Sequence, residues 1–233
     1  MKMKKKIVAV IQARMGATRL PNKEMLHLHG YPVCEWVYKR VRWARHVEDI
    51  VFAIPFSEKD QILGDYLTRL GSKVYAGSET DVLGRTLEAA ESLDAGYVIR
   101  VCADNPFIDG HEIDNLVEFF LATSCDYAFN HIPRGNKYPD GLGAEMISFD
   151  LLKMISEKSV LASQREHSMN YIWDNQELFT ISTFDPPDPR LWHPELRLDL
   201  DSYSDYHRYL MMNLSVDISS IDLIRLFQME NNE

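Results

Sequence analysis

Cysteine is scarce in this chain: Cys34, Cys102 and Cys125 are the three in 233 residues. They are odd in number, far apart and set in apolar runs. That argues against a disulfide framework and for buried free thiols in a reducing compartment. Hydrophobic runs long enough to span a bilayer are missing. Lys2 and Lys4 to Lys6 resemble the basic start of an export signal, but the apolar run behind them is too short and leads straight into charge. A cytoplasmic location is expected. Positive charge is in deficit, 25 Lys and Arg against 35 Asp and Glu, for a net charge of −10. Such a chain repels nucleic acid and anionic membrane, so neither is expected as a partner. There is no internal repeat or low-complexity segment. His27, His29, His46, His111, His131, His193 and His207 show no zinc spacing and read as structural or surface groups.

What is present is enough apolar residue, 45% of the chain, to bury one core, and residues 1–233 are read as a single domain. Everything is organised around Ile7 to Lys23, IVAVIQARMGATRLPNK. Ile7 to Ile11 is a run of β-branched residues and Ala, the pattern of a strand buried inside a parallel sheet. Directly behind it stand Gln12, Ala13, Arg14, Met15, Gly16, Arg19, Pro21 and Lys23. A loop at the carboxyl end of a first strand is where an open α/β sheet places its ligand. The segment is neither a Walker A sequence nor a GxGxxG, having a single Gly with its charge spread over Arg14, Arg19 and Lys23. Those cations suit a polyphosphate better than packing, and Pro21 stiffens the loop before a ligand arrives.

Further along, helical spacing marks Val33 to Arg45 and Glu58 to Leu70, the latter capped by Ser57 and ended by Gly71. Strands are predicted over Ile50–Pro55, Lys73–Tyr75, Tyr97–Cys102 and Asp126–Phe129, with helices over Asp81–Leu93 and Glu112–Ala122. This alternation predicts an α/β fold with a doubly wound, mainly parallel sheet. The rhythm changes near Asn130, where a Gly- and Pro-rich loop opens a small inserted lobe, 130–190. Inside it the pattern predicts a strand at Ala144–Phe149, helices near Leu151–Glu157 and Glu166–Asp174, and a strand at Leu178–Phe184. Leu196–Leu200 reads as the last sheet strand, and two amphipathic helices, about Tyr203–Leu214 and Ser220–Met229, close the chain.

Five later segments carry chemistry. In AGSETDVLGR, Gly77 and Ser78 permit a close backbone approach, and Thr80 or Asp81 caps the helix that follows. In RVCADNPFID, Asp104 lies just past a strand end that faces the same crevice as the cationic loop. A carboxylate beside a phosphate site calls for a divalent cation between them, and Mg²⁺ is the usual choice. In LRLDLDSYSD, Asp199 and Asp201 stand at period two and share a face, which is costly without a cation. YPDGLGAE and Arg165-Glu166-His167 lie in the inserted lobe, and Arg165 and His167 would suit an anionic group on an incoming substrate.

IQARMGATRLPNK resembles the opening motif IQAR-x-x-S/A-x-R-L/F-P-x-K of the cytidylyltransferases that make CMP-activated sugars. The likeness is greatest to the spore coat polysaccharide biosynthesis protein F group, with CMP-acylneuraminate and CMP-octulosonate synthetases more distant. The later segments follow in family order, so the resemblance runs from Ile7 to about Leu210. It implies a nucleotide-diphospho-sugar transferase-like, Rossmann-like sheet. The nucleotide would lie against Gln12, Ala13, Arg14, Met15, Gly16, Arg19, Lys23, Gly77, Ser78, Asp81, Val82, Arg100 and Asp104, with Leu83 and Arg85 matching the same stretch. Arg14, Arg19, Lys23 and Asp104 would be catalytic, and Asp104 and Asp201 the Mg²⁺ ligands. Asp205 matches a cap-like position, whereas Asp199 replaces the family's Thr and its role stays open. Tyr138, Asp140, Glu145, Arg165 and His167 would face the acceptor, and the lobe would pair two copies in a homodimer. The implied reaction moves CMP from CTP to a sugar acid or phosphorylated acceptor and releases pyrophosphate, for surface polysaccharide biosynthesis. No side chain stands out as a general base. Two alternatives remain: a metal-dependent glycosyltransferase of GT-A-like fold with Asp199-Leu200-Asp201 as its D-x-D motif, and a non-catalytic nucleotide-binding module.

Overall fold

The structure is a computed structural model that describes residues 5–230; Lys2 and Lys4 of the basic start lie outside the described residues. Ile7–Gln12 forms β1, buried along its length as a central strand must be. A two-residue-armed hairpin follows, β2 (His27–Leu28) with β3 (Tyr31–Pro32), too short to leave a period in the sequence. Then come α1 (Val33–Val41), β4 (Asp49–Pro55), α2 (Glu58–Arg69), β5 (Lys73–Gly77), α3 (Val82–Glu91), β6 (Tyr97–Cys102), α4 (Gly110–Ala122) and β7 (Tyr127–Phe129). Local chemistry sets the helix ends. The Ser57 side chain accepts from the Asp60 N–H at the start of α2, and Gly71 takes φ +83° just past its end. Asp81 caps α3, its carboxylate accepting from the Gly84 N–H at 2.8 Å.

The second half adds β8 (Glu145–Ser148), α5 (Phe149–Lys158), α6 (Ala162–Glu166), α7 (Asn170–Asp174), β9 (Ile181–Ser182), α8 (Tyr203–Met211) and α9 (Ser220–Glu230). The seven-stranded sheet runs β5-β4-β1-β6-β8-β7-β9, parallel from β5 to β6, with β8 antiparallel to both β6 and β7. The predicted doubly wound, mainly parallel α/β sheet is present. One face packs against α1, α2 and α4, the other against α3, α5 and α7. The segment 130–190 lays β8 and β9 into this same sheet.

Three elements differ from the sequence reading. Leu196–Leu200 is extended but, among the described residues, joins no sheet and makes a single bridge, Arg197 to Asp140. Leu196, Leu198 and Leu200 bury in a separate core with Tyr209, Leu223 and Phe227 of α8 and α9, so the period of two reports that packing. The helix expected over Glu166–Asp174 breaks into α6 and α7, because His167 leaves helical geometry and Ser168 turns inward to Gln12. The strand expected over Leu178–Phe184 shrinks to the two residues of β9.

Gly143 controls the entry to β8. A Cβ there would lie 2.2 Å from Asn130 Oδ1 and 2.4 Å from the Asn130 carbonyl oxygen. Those same atoms tie the strands together, since Asn130 Oδ1 accepts from the Ala144 N–H at 2.9 Å. Gly143→Ala should therefore cost about 3 kcal/mol. A urea midpoint equal to that of the parent would show that the Asn130 turn yields freely.

Candidate active site

The strand order reverses between β1 and β6: β4 and β5 build to one side of β1, and β6 starts the other. An open α/β sheet carries its crevice at such a switch point. A cavity of 320 Å³ opens there, lined by the loop after β1, the start of α3, the ends of β6 and α6, and Asp201.

The loop is held by its backbone. The Met15 N–H donates to Asp60 Oδ1 of α2 at 2.7 Å, and the Asn22 N–H to the Met15 carbonyl at 3.2 Å. Asn22 sits in left-handed geometry, φ 60°, and a single 3-10 turn, Lys23–Met25, sends the Lys23 side chain back under the loop. Lys23 is 7% exposed, and Nζ donates to Asp104 Oδ2 at 2.7 Å and the Leu200 carbonyl at 3.1 Å, with Asp201 Oδ1 at 3.9 Å. Arg19 pairs with Asp201, which also accepts from Arg197 at 3.3 Å. Arg197 reaches Asp199 at 2.7 Å, so Asp199 and Asp201 do share a face. Arg14, exposed at the rim, holds no carboxylate among the described residues. The loop cations and the pocket acids thus neutralise one another, with Arg14 left over for an anion.

Two buried charges stand beside this set. Glu24 is 3% exposed, its Oε2 has no partner, and burial pushes its carboxyl up to about 7 against the opposing pull of Lys23. Arg85 is buried as well and gives its guanidinium to the Ser78 and Glu79 carbonyls while Nε is left without a partner. Burial, with Arg14 nearby, lowers its pKa. At the inner wall the Gln12 amide accepts from Arg100 Nε at 2.8 Å and donates to Thr86 and Ser168 at 2.6 and 2.7 Å.

The donor set fits Mg²⁺ in one way. Among the described residues no group of three or more His, Cys, Asp or Glu converges to hold a metal by itself. Asp104 and Asp201, both reached by Lys23 Nζ, offer two carboxylates beside a cationic phosphate site, which is how Mg²⁺ is held when phosphate oxygens complete its shell.

The comparisons with known proteins agree on this architecture. The family model described as Cytidylyltransferase matches residues 8–220. The chain belongs to the cytidylyltransferase family. It is 30% identical over 229 residues to the spore coat polysaccharide biosynthesis protein SpsF of Bacillus subtilis, covering 94% of this chain and 93% of that one. It is similar to the solved structure of a cytidylyltransferase from Leptospira borgpetersenii, with TM-score 0.88, 27% identity, and 98% and 96% of the two chains covered. A CMP:2-keto-3-deoxy-manno-octonic acid synthetase solved with CTP shares the fold, with TM-score 0.65 at 19% identity, covering 87% of this chain and 96% of that one. The protein is a nucleotidyltransferase that uses CTP, and the glycosyltransferase and binding-module readings fall away.

In this cytidylyltransferase the cavity brings together Gln12, Ala13, Arg14, Arg19, Lys23, Val82, Arg100, Asp104, His167 and Asp201. Other residues named from the sequence serve its walls. Gly16 lies in the loop beside Lys59. The Gly77 carbonyl accepts from the Phe56 N–H at 2.7 Å, and the Ser78 hydroxyl accepts from the Asp81 N–H at 3.0 Å. Asp81 pairs with Arg165, which also donates to the Ser156 carbonyl at 2.7 Å. Tyr138 is wholly buried with its hydroxyl on Glu112 at 2.6 Å and belongs to the core. Glu145 is buried on Arg100 and Tyr127. Asp140 carries the bridge to Arg197 through its backbone, and burial, with Asp199 facing it, pushes its carboxyl up to about 6. Asp205 completes a capping box with Ser202. Glu24, Thr86 and Ser168 were not legible as site residues, since each lies at no special spacing. Only the charge of Glu24, set between Lys23 and Met25, hinted at it.

Proposed function

We propose that this chain transfers a cytidylyl group from CTP, with Mg²⁺, to a sugar acid or phosphorylated small acceptor in surface polysaccharide biosynthesis. The observation that carries the reading is one cavity in which Arg14, Arg19 and Lys23 face Asp104 and Asp201. An acceptor oxygen attacks the α-phosphorus, the bond from the α-phosphorus to the bridging oxygen breaks, and pyrophosphate leaves. Such chemistry is positioning and charge neutralisation. Arg14 meets the triphosphate first. Arg19 and Lys23 then exchange their carboxylate partners for phosphate oxygens and hold the leaving pyrophosphate. Asp104 and Asp201 would hold Mg²⁺, which when bound supplies charge neutralisation at the phosphates. His167 lines the cavity from its exposed side, where an acidic acceptor would meet it. Exposed Val160, Leu161 and Leu178 support a homodimer through 130–190. Free thiols and the lack, among the described residues, of any helix long and apolar enough to cross a membrane support a cytoplasmic site of action.

Thermal unfolding with each nucleoside triphosphate, with and without Mg²⁺, tests this. CTP with Mg²⁺ at a hundred times its dissociation constant should stabilise the fold by about 2.7 kcal/mol. Stabilisation by nucleotide-diphospho-sugars alone, or by none of the ligands, would overturn the proposal.

A further inference from the structure

Glu145 lines no part of the cavity, yet its carboxylate holds a residue that does. Arg100 of β6 and Glu145 of β8 stand directly opposite each other in the antiparallel pair. The Arg100 guanidinium pairs with Glu145, and the Tyr127 hydroxyl donates to the other carboxylate oxygen from β7. Burial opposes charge on both partners, but Cys102 and Glu145 together hold Arg100 above the ordinary range, and Arg100 with His131 holds Glu145 below it. Arg100 then directs Nε at Gln12 Oε1, 2.8 Å away on the neighbouring strand β1. A guanidinium has no acceptor, so the Gln12 amide must turn its oxygen toward Arg100. Its NH₂ therefore points at Thr86 and Ser168. Thr86 can only accept there, because its own proton goes to the Val82 carbonyl at 2.7 Å. Each group in the chain Tyr127–Glu145–Arg100–Gln12–Thr86 fixes the next, and only Gln12 and Arg100 among them reach the cavity.

We propose that Glu145 is a positioning residue for the transfer reaction: it locks Arg100, and through Arg100 the amide of Gln12, in the orientation that the inner wall presents to bound nucleotide. The lock exists without ligand, and its effect on nucleotide rests on the function proposed above. A pair that served folding alone would matter equally to every part of the core. A lock matters at the guanidinium and at the ligand.

Glu145→Gln keeps the shape but removes the negative charge, leaving the Arg100 guanidinium at most one neutral amide oxygen in place of an ion pair. In ligand-free protein the Arg100 Nε–H, assigned by its loss in Arg100→Lys, should exchange slowly with solvent. In Glu145→Gln it should exchange at least tenfold faster while the backbone amide spectrum of β1 and β6 persists. If that variant does not fold, Glu145→Asp keeps the charge, shortens the reach by one methylene and should show the same loss. Exchange unchanged within twofold in a folded variant overturns the lock. Mg²⁺·CTP binding then closes a double-mutant cycle. Glu145→Gln and Arg100→Gln should each weaken binding at least tenfold, and the double variant should bind no more weakly than Arg100→Gln. Full affinity in Glu145→Gln, or two losses that multiply, overturns the role in binding. A parent protein that binds no CTP sinks the proposed function instead, and the exchange measurement still decides the lock.

Discussion

Lys23→Ala should lower turnover by roughly 10²–10³-fold while the chain still folds, as expected when a charged donor aimed at developing phosphate charge is removed. Among the described residues, Lys23 Nζ is the one atom that reaches both Asp104, at 2.7 Å, and Asp201, at 3.9 Å. In the ligand-free protein it is their counter-ion, and during transfer its charge is wanted on the leaving pyrophosphate. Removing it therefore has two opposite effects. Pyrophosphate release at saturating CTP should collapse, whereas Mg²⁺ added without nucleotide should raise the melting temperature more than it does in the parent, because two carboxylates are left unopposed. Near-parental turnover in a folded variant would remove Lys23 from the reaction.

Glu24→Gln should stabilise the protein by about 3 kcal/mol at pH 8.5 and by almost nothing near pH 4.5. Burial raises the Glu24 carboxyl from 4.5 to about 7 in the folded chain. The folded form thus binds the proton more tightly than the unfolded form does. Its stability is undiminished below the unfolded value, falls as pH climbs between 4.5 and about 7, and carries the whole ionisation penalty above that. Gln cannot ionise and escapes the penalty. Urea midpoints of parent and variant at the two pH values give the difference directly, with other titrating groups common to both. A stability difference that is the same at both pH values would show that Glu24 keeps an ordinary carboxyl pKa.

The strands that build the centre were legible because burial on both faces leaves an apolar run, continuous at Ile7–Ile11 and broken by Arg100 alone at Tyr97–Cys102. Caps such as Ser57 and Asp81 were legible because their chemistry is local. What failed is what local pattern cannot separate. Leu196, Leu198 and Leu200 alternate as a sheet strand would, but any extended segment with one buried side does so, and theirs faces α8 and α9. The cationic loop and Asp104 were readable singly. Their mutual neutralisation was not, because Lys23 meets Asp104 across 81 positions of chain and the Leu200 carbonyl across 177. The same distance hid the contacts that Glu145 makes with Arg100 and Arg165 with Asp81.

The ends of the sheet have a consequence for solubility. β9 exposes only two residues of backbone at its edge, and the chain then runs into Pro186, Pro187 and Pro189, which have no N–H to give a neighbour. At the opposite edge, Lys73 opens β5 with a charge paired to Asp49. Short, proline-flanked and charged edges offer little template for another chain to pair with. Pairing of two copies through β9 is thereby disfavoured.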